Sequence, residues 1–411
     1  MSGRHVVVMV TTSYPRFPGD GIGSFIEPIA KGVAARGHEV HIVAPWHPRL
    51  ERGRVEDGVF FHFYHYAPLR SLNVFGYAEG LQADTALKWR AWSAAPLAMA
   101  AGWFKAHRVA TKKRATVMHA HWVIPNGPIA AAASRRPLVV SLHGSDVFVA
   151  ERHAVAGRMA AGVFARARWV TACSGDLAER AVRLGAAESR MEVLPYGVDA
   201  DRFRPSAVAR ERVRHDLALG DAPVVFTAGR LVAKKGFDVL IEAARRLVTS
   251  MPRLRVLIAG DGDLRASLEA QAADLRGTVT LLGNRSQDDI AALAAAADAI
   301  AVPSIRDDAG NVDGLPNFAL EALASGTPVV ATTAGGLASA IDDGVSGRLV
   351  PERDPARLAD ALGALMADPA GAGRLGVAAR SRVIERFGWP RVAERLERAY
   401  DVATGRSLVA E

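Results

Sequence analysis

The chain has 411 residues, half of them hydrophobic and 23% charged, with one cysteine and a formal net charge of +8. That is the balance of a soluble globular chain, too long for one ordinary domain and with apolar material for two cores. The lone Cys173 excludes an intrachain disulfide and fits a reducing compartment.

The charge is uneven. Residues 1–200 carry 24 Lys and Arg against 15 Asp and Glu, whereas residues 201–411 carry 27 against 28. No acid lies between Asp84 and Asp146, and the 61 residues between them hold nine bases. One-sided charge of this kind suits a phosphate-bearing partner or an anionic lipid surface, and equally a solvated face with no partner.

In chain order, the first apolar run, Val6–Val10, is too short for a secretory signal and predicts a buried strand. Strand-like runs follow at Val40–Ala44, Val117–His119, Leu138–Leu142, Trp169–Ala172 and Met191–Leu194. After the turn-rich segment 194–205 the pattern resumes at Val224–Ala228, Arg255–Ala259, Val279–Leu282, Ala299–Val302, Val329–Thr332 and Gly347–Val350. Helix-like runs alternate with the strands, which predicts an α/β fold of two parallel sheets, each of about six strands. The expected domains are residues 1–197 and 198–385, with 386–411 as a final helix returning toward the first. No run approaches the roughly 20 apolar residues that a membrane span needs.

Chemistry-bearing features sit where strands end. Gly19, Gly21 and Gly23 in PGDGIGSF form a turn before a helix that Ser24 is placed to cap; such a turn is either plain or a phosphate cradle. His143, in SLHGSDVF, follows a strand, the edge at which α/β proteins place their sites. His119, His121 and Asp146 are candidates to line the same cleft, and without suitably spaced acids or cysteines the histidines do not read as a metal site. Arg230 and Lys235 occupy a strand-to-helix loop, a placement suited to a diphosphate. In VDGLPNFALEALASGTPVV, Asn317 reads as an N-cap, Glu321 lies about one turn into the helix, and Asp313 lies in the loop before it. The spacing of Trp89, Trp92, Pro96, Met99 and Trp103 makes one helical stripe. It suits a core-facing helix or, with its interspersed bases, a membrane-surface one, and core packing is the favoured reading.

Together PGDGIGSF, His-Gly-Ser-Asp, LPYGVDADRFRP, GRLVAKKGFDVLI, IAGDGDLR, LLGN and GLPNFALEALASGTPVVATTAGG resemble the landmarks of family 4 retaining glycosyltransferases, in order along nearly the whole chain. The resemblance implies the GT-B fold: two Rossmann-like domains facing a cleft, the first for the acceptor and the second for a nucleotide-sugar donor. It implies that Arg230 and Lys235 hold the donor diphosphate, that Glu321 contacts the ribose and that Asp313 contacts the sugar, with Gly314, Leu315 and Pro316 beside it. It further implies that His143 lies near the transferred sugar, Gly23 approaches the diphosphate and Asn284 borders the nucleobase. The catalytic set on this basis is His143, Asp313, Arg230 and Lys235. No metal or cofactor is implied, because fixed cations and helix N-termini stabilise a departing diphosphate; Asp261-Gly-Asp263 reads as a turn. The implied acceptor is a polysaccharide, a lipid-linked sugar or a small glycoconjugate, in the cytoplasm or at the inner membrane face through the basic 85–145 region. Nucleic acid is not an expected partner. The alternatives are an epimerase, which needs more carboxylates; a phosphorylase, which needs a pyridoxal lysine; and a donor-binding subunit without activity, favoured only by Asp at 313 where the family commonly has Glu.

Overall fold

The structure is a computed structural model that describes residues 3–20, 22–67, 76–77, 81–82, 86–87 and 89–406, with the segment 81–94 described by its backbone alone. The chain divides into two compact units, Met1–Tyr196 with Trp389–Glu411, and Gly197–Gly388.

Among the described residues the first unit contains β1 (Val6–Val10), β2 (Glu39–Pro45), β3 (Val55–Glu56), β4 (Val59–Tyr64), β5 (Leu81–Gln82), β6 (Ala86–Leu87), β7 (Val117–His121), β8 (Leu138–Leu142), β9 (Trp169–Ala172) and β10 (Met191–Val193). Eight of these form one sheet in the order β10-β9-β8-β7-β1-β2-β4-β3, parallel except for the β3–β4 pair. β1 and β8 read as nearly continuous Val, Leu and Met runs, and β7 is buried along its whole length despite its two histidines, because helices cover both faces. The sequence reading omitted β3 and β4. Asp57 and Gly58, both at positive φ, join them in the hairpin turn that an Asp-Gly pair favours.

The helix Ile26–Ala35 buries Ile26, Ile29, Ala30 and Val33, one face at helical spacing. The last helix, Trp389–Thr404, packs on it and sends Val392, Leu396 and Tyr400 into the same core. Gly32 permits the close approach: a Cβ there would lie 3.0 Å from that of Ala393. Polar ties lock the same helix in place, with Asp401 Oδ1 3.0 Å from His5 Nε2, and Glu397 paired with His38 and Arg36.

The helix Trp89–Lys112 corrects the stripe reading. Its buried side is Ala98, Gly102, Ala106, Val109 and Ala110, small residues that let it lie close to the sheet. Leu97, Trp103 and Phe104 are instead 60%, 42% and 57% exposed, and Pro96 is exposed. The side chains of Trp89 and Trp92 lie outside the described residues. Among the described residues no helix is long and apolar enough to cross a membrane.

The second unit contains β11 (Val224–Ala228), β12 (Arg255–Ala259), β13 (Val279–Gly283), β14 (Ala299–Val302), β15 (Val329–Thr332) and β16 (Arg348–Val350). They form one parallel sheet in the order β13-β12-β11-β14-β15-β16. The order reverses between β11 and β14, so the carboxyl ends of these strands open the crevice where doubly wound sheets bind ligands. Two corrections concern helix starts. Phe25 rather than Ser24 is the N-cap of the helix Ile26–Ala35, and Pro316 rather than Asn317 precedes the helix Asn317–Ala324; neither helix has a side-chain cap.

Candidate active site

In the second unit, the loops after β11 and β14 bring the site together at the switch point. After β11 the chain makes a short 3-10 turn, Ala233–Lys235, ended by Gly236 at φ 62°. A Cβ on Gly236 would run into the Pro303 carbonyl at the exit of β14, so only glycine lets the loops meet. The Ile305 N–H donates to the Lys234 carbonyl at 2.9 Å, stapling the same junction. On the other side Gly335, after β15, presses against the Asp313 carbonyl where a Cβ would not fit.

These staples aim two lysines at one carboxylate. Lys234 Nζ lies 3.0 Å from Asp313 Oδ1, and Lys235 Nζ lies 2.6 Å from Asp313 Oδ2. Burial pushes the Asp313 carboxyl upward, but the two ammonium groups override it and hold it well below the usual carboxylate range. Glu321, in the helix Asn317–Ala324, behaves oppositely. Burial pushes it up to about 7, against the weaker pull of Arg202 and Lys235. One acid is thus held ionised and the other titrates near neutrality, because only the first has close cations.

Leu315 and Pro316 are buried, Gly314 is half-buried, and Arg230 is exposed on the loop after β11. That loop is knitted to its neighbours by Gly229 N–H to Ala259 O at 2.9 Å and Leu231 N–H to Asp261 O at 3.0 Å. Gly260 N–H donates in turn to Gly283 O at 2.8 Å, which sets exposed Asn284 at the end of the same row of loops. Asp261 and Asp263 are exposed residues of the turn after β12. Lys234, as close to Asp313 as a salt bridge requires, was missed in sequence; the doubled lysine of AKKG was its only signal. A wide groove of about 1070 Å³ lies elsewhere in this unit, beside β16, and includes none of these residues.

In the first unit, His119 and His121 correct the cleft expectation. β7 extends to His121, and both side chains have no exposed surface. His119 bonds the Tyr400 hydroxyl through Nδ1 and Ser141 Oγ through Nε2, each at 2.8 Å. His121 Nδ1 lies 3.1 Å from His143 Nε2, and His143 Nδ1 lies 2.7 Å from the Tyr196 hydroxyl. Both ring nitrogens of half-buried His143 are therefore engaged inside the unit. Burial, with the His119 charge, pushes its pKa down to about 3, so the ring is neutral. Asp146, 2% exposed, is also structural: it accepts from the N–H groups of Val123 at 2.7 Å, Gly144 at 3.0 Å and His143 at 3.3 Å. It shapes the turn after β8 rather than lining a cleft. Gly23 has φ 68°, and a Cβ there would lie 3.0 Å from Ser13 Oγ. Gly21 lies outside the described residues.

Two α/β units, the second with a cationic switch-point site, define an enzyme of the GT-B glycosyltransferase class. Models of two families match in succession: Glycosyltransferase Family 4 over residues 19–202 and Glycosyl transferases group 1 over residues 222–368. The chain belongs to this group, and the protein is a glycosyltransferase. It is 36% identical over 273 residues to the GDP-mannose-dependent alpha-(1-6)-phosphatidylinositol monomannoside mannosyltransferase of Mycolicibacterium smegmatis, covering 66% of this chain and 71% of that protein. It is 30% identical over 419 residues to a glycogen synthase of Mycobacterium tuberculosis, covering 96% and 94%. The structure of Anabaena Alr3699/HepE in complex with UDP-glucose superposes with a TM-score of 0.74 at 22% identity, covering 96% and 98%, which shows the shared fold.

Proposed function

We propose that the protein moves a sugar from a nucleoside-diphosphate donor, a UDP- or GDP-sugar, to a polysaccharide, lipid-linked or small glycoconjugate acceptor, with retention and without a metal. The observation that carries this reading is the Lys234–Asp313–Lys235 cluster at the switch point. Lys235 and Arg230 face the diphosphate, aided by the N-termini of the helices Phe237–Ser250 and Asn317–Ala324. Asp313, with Gly314, Leu315 and Pro316, meets the sugar; Glu321 meets the ribose, and Asn284 borders the base. The first unit takes the acceptor.

Breaking the sugar–phosphate bond places negative charge on the departing diphosphate. Fixed cations stabilise that charge as it develops, which needs no metal. The same-face course follows if the departing diphosphate accepts the acceptor proton while the acceptor oxygen bonds the anomeric carbon. The donors named for the relatives, GDP-mannose and UDP-glucose, are the first to test. A panel of nucleotide sugars screened for thermal stabilisation and slow hydrolysis, with and without EDTA, decides. Stabilisation by one UDP- or GDP-sugar and EDTA-insensitive turnover are expected; no response to any donor overturns the reading.

A cytoplasmic protein held at an anionic membrane belongs to the same proposal. Leu97, Trp103 and Phe104 are exposed on the helix Trp89–Lys112, with Arg108, Lys112 and Arg114 exposed nearby. Apolar side chains among bases suit anionic headgroups. Salt-sensitive sedimentation with phosphatidylglycerol vesicles, lost in a Leu97→Ser, Trp103→Ser, Phe104→Ser variant, is the expected result; no binding at low salt removes this part.

A further inference from the structure

We propose that Lys234 is a positioning residue of the donor site: it keeps the Asp313 carboxylate paired and in place while the Lys235 ammonium engages the donor diphosphate. The inference rests on the donor reading above and assigns a role to a residue outside it.

The argument is one of charge and reach. Asp313 is only 13% exposed at its side chain, and Lys234 and Lys235 are 16% and 18% exposed. Without donor, two ammonium groups share one carboxylate, one more cation than the pair needs. A diphosphate brings at least two negative charges and must recruit a cation from this cluster. If Lys235 were the sole partner of Asp313, recruiting it would leave a poorly solvated carboxylate beside the arriving anion, an arrangement that proteins avoid. Lys234 removes that conflict. It holds Oδ1 while Lys235 holds Oδ2, so the second contact can be given up without orphaning the acid.

The backbone keeps the two roles distinct. The Lys234 carbonyl is tied to Ile305 N–H, so the lysine nearer that staple is anchored to the loop that carries Asp313. Lys235 sits one residue closer to the helix Phe237–Ser250, whose N-terminus favours an anion. The charged groups around this point include Lys234 and Lys235 from the loop after β11, which also carries exposed Arg230, Asp313 from the loop after β14, and Glu321 on the helix Asn317–Ala324, which feels Arg202 and Lys235. From the loop after β15, Gly335 presents backbone against Asp313. The short aspartate also fits: with its carboxylate held close to its own loop, a fixed cation on the neighbouring loop sets where it points.

The test is a cycle of Lys234→Met, Lys234→Arg, Asp313→Asn and the Lys234→Met, Asp313→Asn double variant. GDP-mannose and UDP-glucose are titrated calorimetrically into each chain at pH 7.5. Lys234→Met should weaken the donor that the wild-type chain binds by at least about tenfold, and Lys234→Arg should restore most of it. In the Asp313→Asn background the Lys234→Met loss should shrink to about twofold or less. An equal loss in both backgrounds, or none in either, overturns the proposal. In the chain without donor, Lys234→Met should lower the thermal midpoint at pH 7, by an amount that narrows below about pH 4 and vanishes with Asp313→Asn. A deficit independent of pH and of residue 313 means a packing role alone and overturns the proposal. If the wild-type chain binds neither sugar nucleotide, the donor assignment falls, while the donor-free cycle still decides whether Lys234 positions Asp313.

Discussion

His143 Nδ1 lies 2.7 Å from the Tyr196 hydroxyl, and this contact, with His121 on the other nitrogen, engages both ring nitrogens within the first unit. A neutral ring with both nitrogens occupied offers a ligand its backbone and ring face, not a titrating group. Tyr196→Phe leaves a buried nitrogen without its partner and should cost about 1–3 kcal/mol in urea unfolding. The acid limb of the turnover profile should not shift, because the His143 pKa near 3 lies far below it; an acid limb displaced in Tyr196→Phe would assign His143 a proton-transfer role.

Asp146 supports the same turn. Its carboxylate serves three backbone N–H groups, so Asp146→Ala orphans all three and should destabilise the first unit by about 2–4 kcal/mol. Asp146→Asn keeps one acceptor oxygen and should cost less. Comparing the two by differential scanning calorimetry checks the assignment; equal losses would point to shape rather than hydrogen bonding.

Glu321 makes a prediction with a defined sign. Its folded pKa is raised to about 7, so the folded chain binds this proton more tightly than the unfolded chain does. Stability from this group is complete below the unfolded value near 4.5 and is lost as pH rises through 7. Glu321→Gln should therefore raise the unfolding free energy at pH 8 by about 1–3 kcal/mol, and the difference should fade toward pH 4. The same variant should weaken donor binding. Urea midpoints between pH 4 and pH 8 read the first effect and calorimetry the second.

Gly236 tests the construction of the site. Gly236→Ala forces a Cβ against the Pro303 carbonyl at a left-handed backbone position, which must displace the lysine turn. A stability loss of about 1–3 kcal/mol is expected, together with a donor KM raised by about tenfold or more. Gly220→Ala is a control at φ 54° with nothing near its Cβ, and it should show backbone strain alone, with donor KM unchanged. Similar donor KM in the two variants would mean that the lysine turn does not depend on the Pro303 contact.

What was legible in sequence was local. The inner strands β11, β12, β14 and β15 were readable because buried parallel strands are continuous apolar runs, the part-exposed edge strands β13 and β16 because each keeps a short apolar run beside a glycine, and the helix after β14 from its Pro start and Gly stop. β3 and β4 were missed although Asp57-Gly58 marks their turn, because alternation in VFFHFY is broken by its aromatic residues. The stripe on the helix Trp89–Lys112 was misread because periodicity shows which residues share a face, not which face is covered.

The sequence by itself determined the strand and helix runs, the glycine-closed turns and the acids and bases at strand ends, since these follow from backbone sterics and from residues a few positions apart. Only the tertiary structure decided what the charged and ring groups do. Lys234 and Asp313 are 79 residues apart and meet because two strands of the sheet are neighbours. His119 became a core residue because Tyr400, 281 residues away, arrives on the last helix. Desolvation and ion pairing depend on who is near in space, and spacing along the chain carries little of that information.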